Sequence, residues 1–331
     1  MRVTVEHVPW AQSGSRFTSP FENQVAYLAQ KCDQTTVTKL MRVAWRSVGR
    51  IVRDVVHGQR AAGPDRLDGL SIIGIDELHV GKRSGFITLI TDHQRGRIVW
   101  GGPGKSSKAV KAFFEELGPE RSKGITHVTL DMSAAYIKGV REAVPDAKIV
   151  FDRFHVQRLV HDAVDEVRRE LVRVAEEADE KTAIKGTRTP LQKNPWNLSR
   201  FEKDKLSALK HSNSPLYRAY LLKETMLAIL DRRQINVARS KLKEWLSWAA
   251  RSRLEPLKKL AGTIRKHTDG ILEYVRTGLS NGRVEGFNGK ARTITRRAFG
   301  LASTSSLIAM LFLCCGGIHL QPSHVSLMGI H

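Results

Sequence analysis

Asp76, Asp131 and Glu285 are the residues of this 331-residue chain whose type and setting best suit chemistry. Asp76 closes the apolar run Ser71-Ile72-Ile73-Gly74-Ile75, and Asp131 closes His127-Val128-Thr129-Leu130. A carboxylate at the end of an apolar strand is costly to desolvate, and a hard divalent cation is one partner that offsets the cost. Phosphoryl transfer at a nucleic-acid backbone uses two such cations, about 3.5–4 Å apart, to neutralise the phosphate and the attacking and leaving oxygens. A third carboxylate then has to come from a helix packed at the strand ends. Glu285 qualifies as the single acid of residues 281–300, among Arg283, Lys290, Arg292, Arg296 and Arg297. Ser280 or Asn281 can cap that helix, and Glu285, Asn288, Arg292 and Arg296 share one face at helical spacing. Each acid taken alone has a plainer reading as a turn residue or helix cap. Glu77 points to the other side of the strand from Asp76, and Asp92 and Asp146 read as turn residues.

The elements that must position these acids follow from periodicity. Ser19-Pro20-Phe21-Glu22 reads as a capping box with Ser19 as N-cap, opening a helix whose Phe21, Val25, Leu28 and Cys32 share a face. A short helix with Val37, Leu40 and Met41 inward, a turn at Arg42-Val43-Ala44 and a second helix lined by Val48, Ile51, Val52 and Val55 come next. That second helix turns Trp45, Arg46, Arg50 and Arg53 outward, which suits a helix-turn-helix; a plain helical hairpin is the alternative. Residues 61–70 read as a linker. Strands are expected at 71–75, 86–91 and 97–100, then a helix at 106–117, a strand at 127–130, a helix through Tyr136, Val140 and Val144, and a strand at 148–151 ending at Asp152. Beyond about 155 the strands stop. Leu159, Ala163, Val167, Leu171 and Val174 mark a long helix, residues 185–199 a polar loop, and further helices run near 201–210, 214–231, 234–250 and 255–276.

Three consecutive strands followed by helix-strand-helix-strand is the order of the ribonuclease-H-like fold. The expected class is therefore α/β: a ribonuclease-H-like catalytic domain on a mixed five-stranded sheet, interrupted by a large all-α insertion and preceded by a small helical helix-turn-helix domain. The expected division is 1–60 for the helix-turn-helix domain, 71–155 and 280–331 for the two parts of the catalytic domain, and 156–279 for the insertion.

Charge points to the partner. Lys plus Arg number 54 against 33 Asp plus Glu, a formal net charge of +21. Such an excess repels itself in a compact fold, and a polyanion relieves it. The basic residues run along the whole chain, which favours nucleic acid over a membrane surface, where one polybasic cluster is usual. A basic protein without a polyanionic partner is the plainer reading. Cys32, Cys314 and Cys315 make no C-x-x-C pair, so neither a zinc site nor a disulfide framework is expected. The longest apolar run, residues 307–315, is about half of the ~20 residues a spanning helix needs, and it reads as a buried terminal helix.

The motifs GIDELHV, LDMSAAY, FDRFHV and NGRVEGFNGK, in this order, resemble the DDE transposases of bacterial insertion sequences, specifically the ISL-three type. The resemblance runs from about residue 10 to the end. It implies Asp76, Asp131 and Glu285 as catalytic metal ligands, separated by 55 and 154 residues, with Asn281 and Asn288 beside the Glu. Asp152-Arg153-Phe154-His155 is similar to a D-x-x-H motif, which implies that His155 touches the scissile phosphate or orients a water while Asp152 fixes its tautomer. A helix-start histidine with a capping aspartate is the alternative. The implied cofactor is a pair of Mg²⁺ ions, or Mn²⁺ in their place. The implied partners are double-stranded DNA, as terminal inverted repeats and target, and further copies of the chain in a dimer or larger assembly. No membrane is implied, and the place of action would be the bacterial cytoplasm at the nucleoid. Arg46, Arg50, Arg53, Arg283, Asn288, Lys290, Arg292 and Arg296 are the expected DNA contacts. Such relatives usually begin with a cysteine-rich zinc-binding module; none precedes the helical unit here, so weakened recognition of terminal repeats, or a truncated copy, is an expectation.

Three readings follow. The first is metal-dependent cleavage of insertion-sequence ends and strand transfer into target DNA. The second is a catalytically silent remnant that only binds DNA. The third is a different ribonuclease-H-like nuclease using Asp76, Asp131 and Asp152.

Overall fold

The computed structural model describes residues 8, 10–12, 14–80, 85–297 and 303–321, and the side chains of Ser212, Arg283, Val284, Glu285 and Arg297 fall outside that description. In chain order the first unit holds α1 (Ser19–Lys31), α2 (Gln34–Met41), α3 (Trp45–Ala62), β1 (Ile72–His79), β2 (Phe86–Asp92), β3 (Arg97–Pro103), α4 (Ser107–Leu117), α5 (Pro119–Ser122), β4 (His127–Leu130) and α6 (Ala134–Ala143). Next come β5 (Lys148–Phe151), α7 (Arg153–Val174), α8 (Ala178–Lys185), α9 (Arg188–Gln192), α10 (Arg200–Ser212) and α11 (Ser214–Leu230). The chain continues through α12 (Ile235–Ala250), α13 (Glu255–Lys266), α14 (Thr268–Thr277), α15 (Gly282–Arg297) and α16 (Thr304–Cys315). The strands are ordered β3-β2-β1-β4-β5. Residues 1–147 and 281–331 make one compact unit, and 148–280 the other.

In the first unit the sheet is mixed: β1–β2 and β2–β3 are antiparallel, and β1–β4 is parallel. Asp76 pairs directly with Leu89, and Leu78 with Ile87, which puts these residues on one sheet face. Leu78, Ile87, Leu89 and Ile98 share a core with Val48, Ile51 and Val52 of α3, Phe287, Ala291 and Ile294 of α15, and Leu311 and Phe312 of α16. On the other face Glu77 pairs with Thr88, whose hydroxyl meets the Tyr136 hydroxyl of α6 at 2.9 Å. The stretch between α3 and β1 is pinned down: Leu67 and Leu70 are buried, and the Arg66 Nε donates to the Val99 carbonyl at 2.7 Å.

Several local expectations are corrected. Helix α1 starts at Ser19 with Thr18 as N-cap, so the expected capping box does not form; Glu22 is instead buried and accepts from the Ser15 hydroxyl at 2.6 Å. Leu40 stands exposed at the end of α2, where the chain turns through a left-handed Arg42 (φ 52°). Strand β1 runs past Asp76 to His79, because its hairpin partner β2 continues the pairing to Phe86.

The second unit is helical around Trp245, which is buried and donates its indole N–H to the Leu222 carbonyl at 2.8 Å. Val160 and Val167 of α7, Leu216 and Met226 of α11, Leu257 and Ile264 of α13 and Ile271 of α14 complete that core. Gly270 lets α14 lie against β5, since a Cβ there would stand 2.4 Å from the Phe151 ring. Val174 is exposed at the end of α7, and the expected loop at 185–199 contains α9 and a 3-10 turn at Pro195–Asn197.

Candidate active site

The parallel register of β1 and β4 places the two aspartates. Ile72 faces His127, Ile73 faces Val128 and Gly74 faces Thr129. That offset equals the spacing from Asp76 to Asp131, so both aspartates lie two residues beyond the last paired positions, Gly74 and Thr129. Neighbouring strands run about 4.8 Å apart, and laterally paired residues of parallel strands share a face. Asp131 comes directly after the last residue of β4, and Asp76 sits where β1 loses that neighbour. Asp76 is buried at 8% exposure, its Oδ1 accepting from the Glu77 N–H at 2.8 Å. Asp131 is half-buried, with its Oδ1 held by the Ser133 N–H at 2.9 Å.

Two asparagines tie α15 to these strands. The Asn288 Nδ2 donates to the Asp76 Oδ2 at 2.6 Å. Asn281, which precedes α15 and is fully buried, accepts from the Thr129 hydroxyl, and Thr129 also meets the His93 ring at 2.7 Å. Glu285 lies on α15 four residues after Asn281 and three before Asn288, about one helical turn from each. Its position thus falls between a tether to the Asp76 strand and a tether to the Asp131 strand. Its side chain, like that of Arg283, is outside the described residues.

The donor set suits a hard divalent cation. Asp76 and Asp131 both lie just past the end of the β1–β4 pairing, and the buried Asn288 Oδ1 has no hydrogen-bond partner. An orphaned buried acceptor beside a carboxylate is a place for a water or a cation. Among the described residues no three His, Cys, Asp or Glu side chains cluster as metal ligands, and Glu285, the expected third, is not among those side chains. Burial pushes the Tyr136 phenol well up, and the Glu77, Asp131 and Asp76 carboxylates push it further. Tyr136 therefore stays a neutral hydroxyl beside the site.

The remaining expected residues fall as follows. Lys290, Arg292 and Arg296 are exposed on α15, and Asn288 is turned to Asp76 and buried. Arg46 is exposed at the start of α3; Arg50 is half-buried, 3.8 Å from Asp54, and the Arg53 Nη1 donates to the Ser306 hydroxyl of α16 at 2.8 Å. Asp152 and His155 open α7 in the second unit. No hydrogen bond joins them: both Asp152 oxygens and both His155 ring nitrogens are buried without partners, so the expected tautomer-fixing contact is not made. Both Asp152 oxygens face away from water at 1% exposure of the residue. Thr129 and His93 were not singled out from the sequence. The available signal was Thr129 itself, a hydroxyl inside a buried strand, two residues before Asp131 and therefore on its face.

Comparisons with known proteins place the chain in a family. Residues 6–56 match the helix-turn-helix domain of transposase family ISL3, and residues 73–311 match that family's DDE model, described as a transposase. The chain is 35% identical over 336 aligned positions to the transposase for insertion sequence element IS1557 of Mycobacterium tuberculosis strains CDC 1551 and H37Rv, covering 95% of this chain and 75% of the relative. It is 26% identical over 298 positions to the transposase for insertion sequence element IS1001 of Bordetella parapertussis, covering 89% and 73%. No helix among the described residues is long and apolar enough to cross a membrane. With family models matched over 6–56 and 73–311 and a relative 35% identical across 95% of this chain, the chain belongs to the ISL3 family of insertion-sequence transposases.

Proposed function

We propose that this transposase cuts the ends of an insertion sequence and joins them to target DNA in one carboxylate site formed by Asp76, Asp131 and Glu285. Membership in the DDE class carries a general dependence on divalent metal and, through the helix-turn-helix, on DNA. The finer reading is a pair of Mg²⁺ ions, with Mn²⁺ as a substitute, held by Asp76 and Asp131 together and by Glu285. Such a pair neutralises the phosphate and polarises the attacking and leaving oxygens. The protein's own part is positioning. Asp76 and Asp131, each two residues past the last β1–β4 pair, would supply hard oxygens, and Asn288 holds one Asp76 oxygen so that the carboxylate keeps one orientation. Lys290, Arg292 and Arg296 of α15 bind phosphates beside the scissile bond, while Arg46 and α3 hold the duplex further away.

The observation that carries this reading is the double tether of α15, Asn288 to Asp76 and Asn281 to Thr129. A helix bearing one acid among cations gains little from being fixed to Asp76 and to Thr129, two residues before Asp131, unless its acid works with the two aspartates. We further assign residues 1–60 to DNA recognition, 71–155 and 280–331 to catalysis and 156–279 to the insertion. Bringing two DNA ends together requires at least a dimer, acting on the chromosome in the bacterial cytoplasm. The test is Mg²⁺-dependent cleavage and strand transfer with DNA carrying the inverted repeats that flank the gene. Asp131→Ala and Glu285→Ala proteins are expected to bind this DNA without cutting it; DNA binding with no cleavage by the wild-type protein under any metal would leave the silent-remnant reading instead.

A further inference from the structure

The helical unit carries an aromatic surface that the site above does not use. Trp196, in the 3-10 turn, is 73% exposed, and Phe201, in the first turn of α10, is 67% exposed. Large rings in water are unfavourable, and a loose loop would let them fold inward. This segment is not loose. Leu191 and Leu198 are buried on either side of Trp196. Ser199 and Glu202 form a reciprocal capping box at the start of α10, and the Lys193 ammonium pairs with Glu202 at 2.6 Å. From below, the fully buried Lys223 donates to the Lys193 carbonyl at 3.2 Å. The backbone is thus fixed on both flanks while the two rings are held outward.

The segment that carries the rings is rich in cations. Residues 185–205 contain Lys185, Arg188, Lys193, Arg200, Lys203 and Lys205 against two acids, Glu202 and Asp204, and Glu202 is already engaged by Lys193. The Lys205 ammonium lies 4.6 Å from the centre of the Phe201 ring. Phe201 and Lys205, with Pro190 and Lys193, line an open cavity of about 330 Å³, near the lower end of the size of small-ligand pockets. An apolar protein partner would meet a segment with an excess of positive charge here. Unpaired DNA offers both what the rings want and what the cations want: flat base faces to stack and phosphates to neutralise.

We propose that Trp196 and Phe201 form a stacking platform for unpaired nucleotides of the DNA substrate, flanked by Arg200 and Lys205 as phosphate contacts. This rests on the proposed function only for the choice of DNA as ligand. In a duplex the base faces are covered by their neighbours, so the platform discriminates unpaired from paired DNA.

The test uses the full chain in chelator, without divalent ions, so that cleavage does not enter. Fluorescence anisotropy measures the dissociation constant for a mixed-sequence single strand and for the same sequence fully paired, over a range of salt. Trp196→Ala and Phe201→Ala are each expected to weaken single-strand binding about five-fold or more while leaving duplex binding within about two-fold. Trp196→Phe, which keeps a stacking face, is expected to retain most of the affinity. Both positions are exposed, and an unchanged circular dichroism spectrum confirms the fold. Unchanged single-strand affinity, equal losses on single strand and duplex, or a Trp196→Phe protein as weak as Trp196→Ala each overturn the proposal. Strand transfer by the wild-type protein is read separately, so failure of the platform and failure of the carboxylate site are distinguishable.

Discussion

The Asn288 amide and the Asp76 carboxylate, 212 residues apart in sequence, form a buried 2.6 Å hydrogen bond that fixes α15 against β1. An amide donor at this place holds the Asp76 carboxylate in one orientation, and outer contacts of this kind to a metal-binding carboxylate typically matter 10–100-fold for activity or metal affinity. Asn288→Leu is therefore expected to lower strand transfer about 10–100-fold and to raise the Mg²⁺ concentration required, with DNA binding in chelator preserved. Asn288→Asp places a second carboxylate against Asp76 and is expected to be at least as severe. A Leu variant with unchanged metal dependence contradicts the assignment.

The exposed cations of α15 make a different prediction. Each phosphate neutralised on a duplex steepens the dependence of log K on log salt by about 0.9. Replacing Lys290, Arg292 and Arg296 together by Gln is expected to reduce the magnitude of the slope by about 2 to 3, measured by anisotropy on duplex DNA, with no change in unfolding midpoint. A slope identical to wild type removes these residues from the interface.

Stability of the catalytic unit depends on one close approach. A Cβ at Gly139 of α6 would lie 2.9 Å from the Val110 Cβ of α4. A branched side chain fixed near its Cα has little room to yield, so the helices have to separate. Gly139→Ala is expected to destabilise the protein by about 1–3 kcal/mol in urea unfolding. An equal or higher midpoint contradicts that packing.

The helical unit is expected to weaken in acid. Burial, with the Lys223 charge adding and Asp162 opposing, holds His161 below the ordinary imidazole range. The fold thus favours neutral His161, and below about pH 6.5 the unfolded chain binds the proton more readily. Stability is present in full above that pH and falls as pH drops toward the lowered folded value. His161→Gln is expected to flatten this part of the urea-midpoint profile; an unchanged acid slope places the effect elsewhere. Burial holds the neighbouring Lys223 below its usual range as well.

Much of this arrangement was legible in the chain because periodicity is local. The strands β2, β4 and β5 and the helices α10 to α12 lie within one to three residues of their expected bounds, since each carries its own alternation or apolar stripe. What escaped depends on pairing across the chain. Asp76 reads as a strand end from its own apolar run, yet β1 continues because β2 hydrogen-bonds to it as far as His79. Asn288 reads as a surface contact from its cationic neighbours, yet it is buried on Asp76, a partner that helical spacing cannot name. Thr129 and His93 escaped for the same reason, as their roles appear only when Asn281 arrives from the far end of the chain. Residues 185–199 looked like a loop because α9 and the 3-10 turn are too short to show a period.

Metal rescue at Asp131 tests the central claim most directly. A thiolate at this position is a poor ligand for Mg²⁺ and a better one for Mn²⁺, which tolerates softer donors. Asp131→Cys protein is expected to bind inverted-repeat DNA, to be inactive in strand transfer with Mg²⁺, and to recover activity with Mn²⁺, while Asp131→Ala stays inactive in both. Strand transfer at wild-type level from Asp131→Ala with Mg²⁺ would contradict the account.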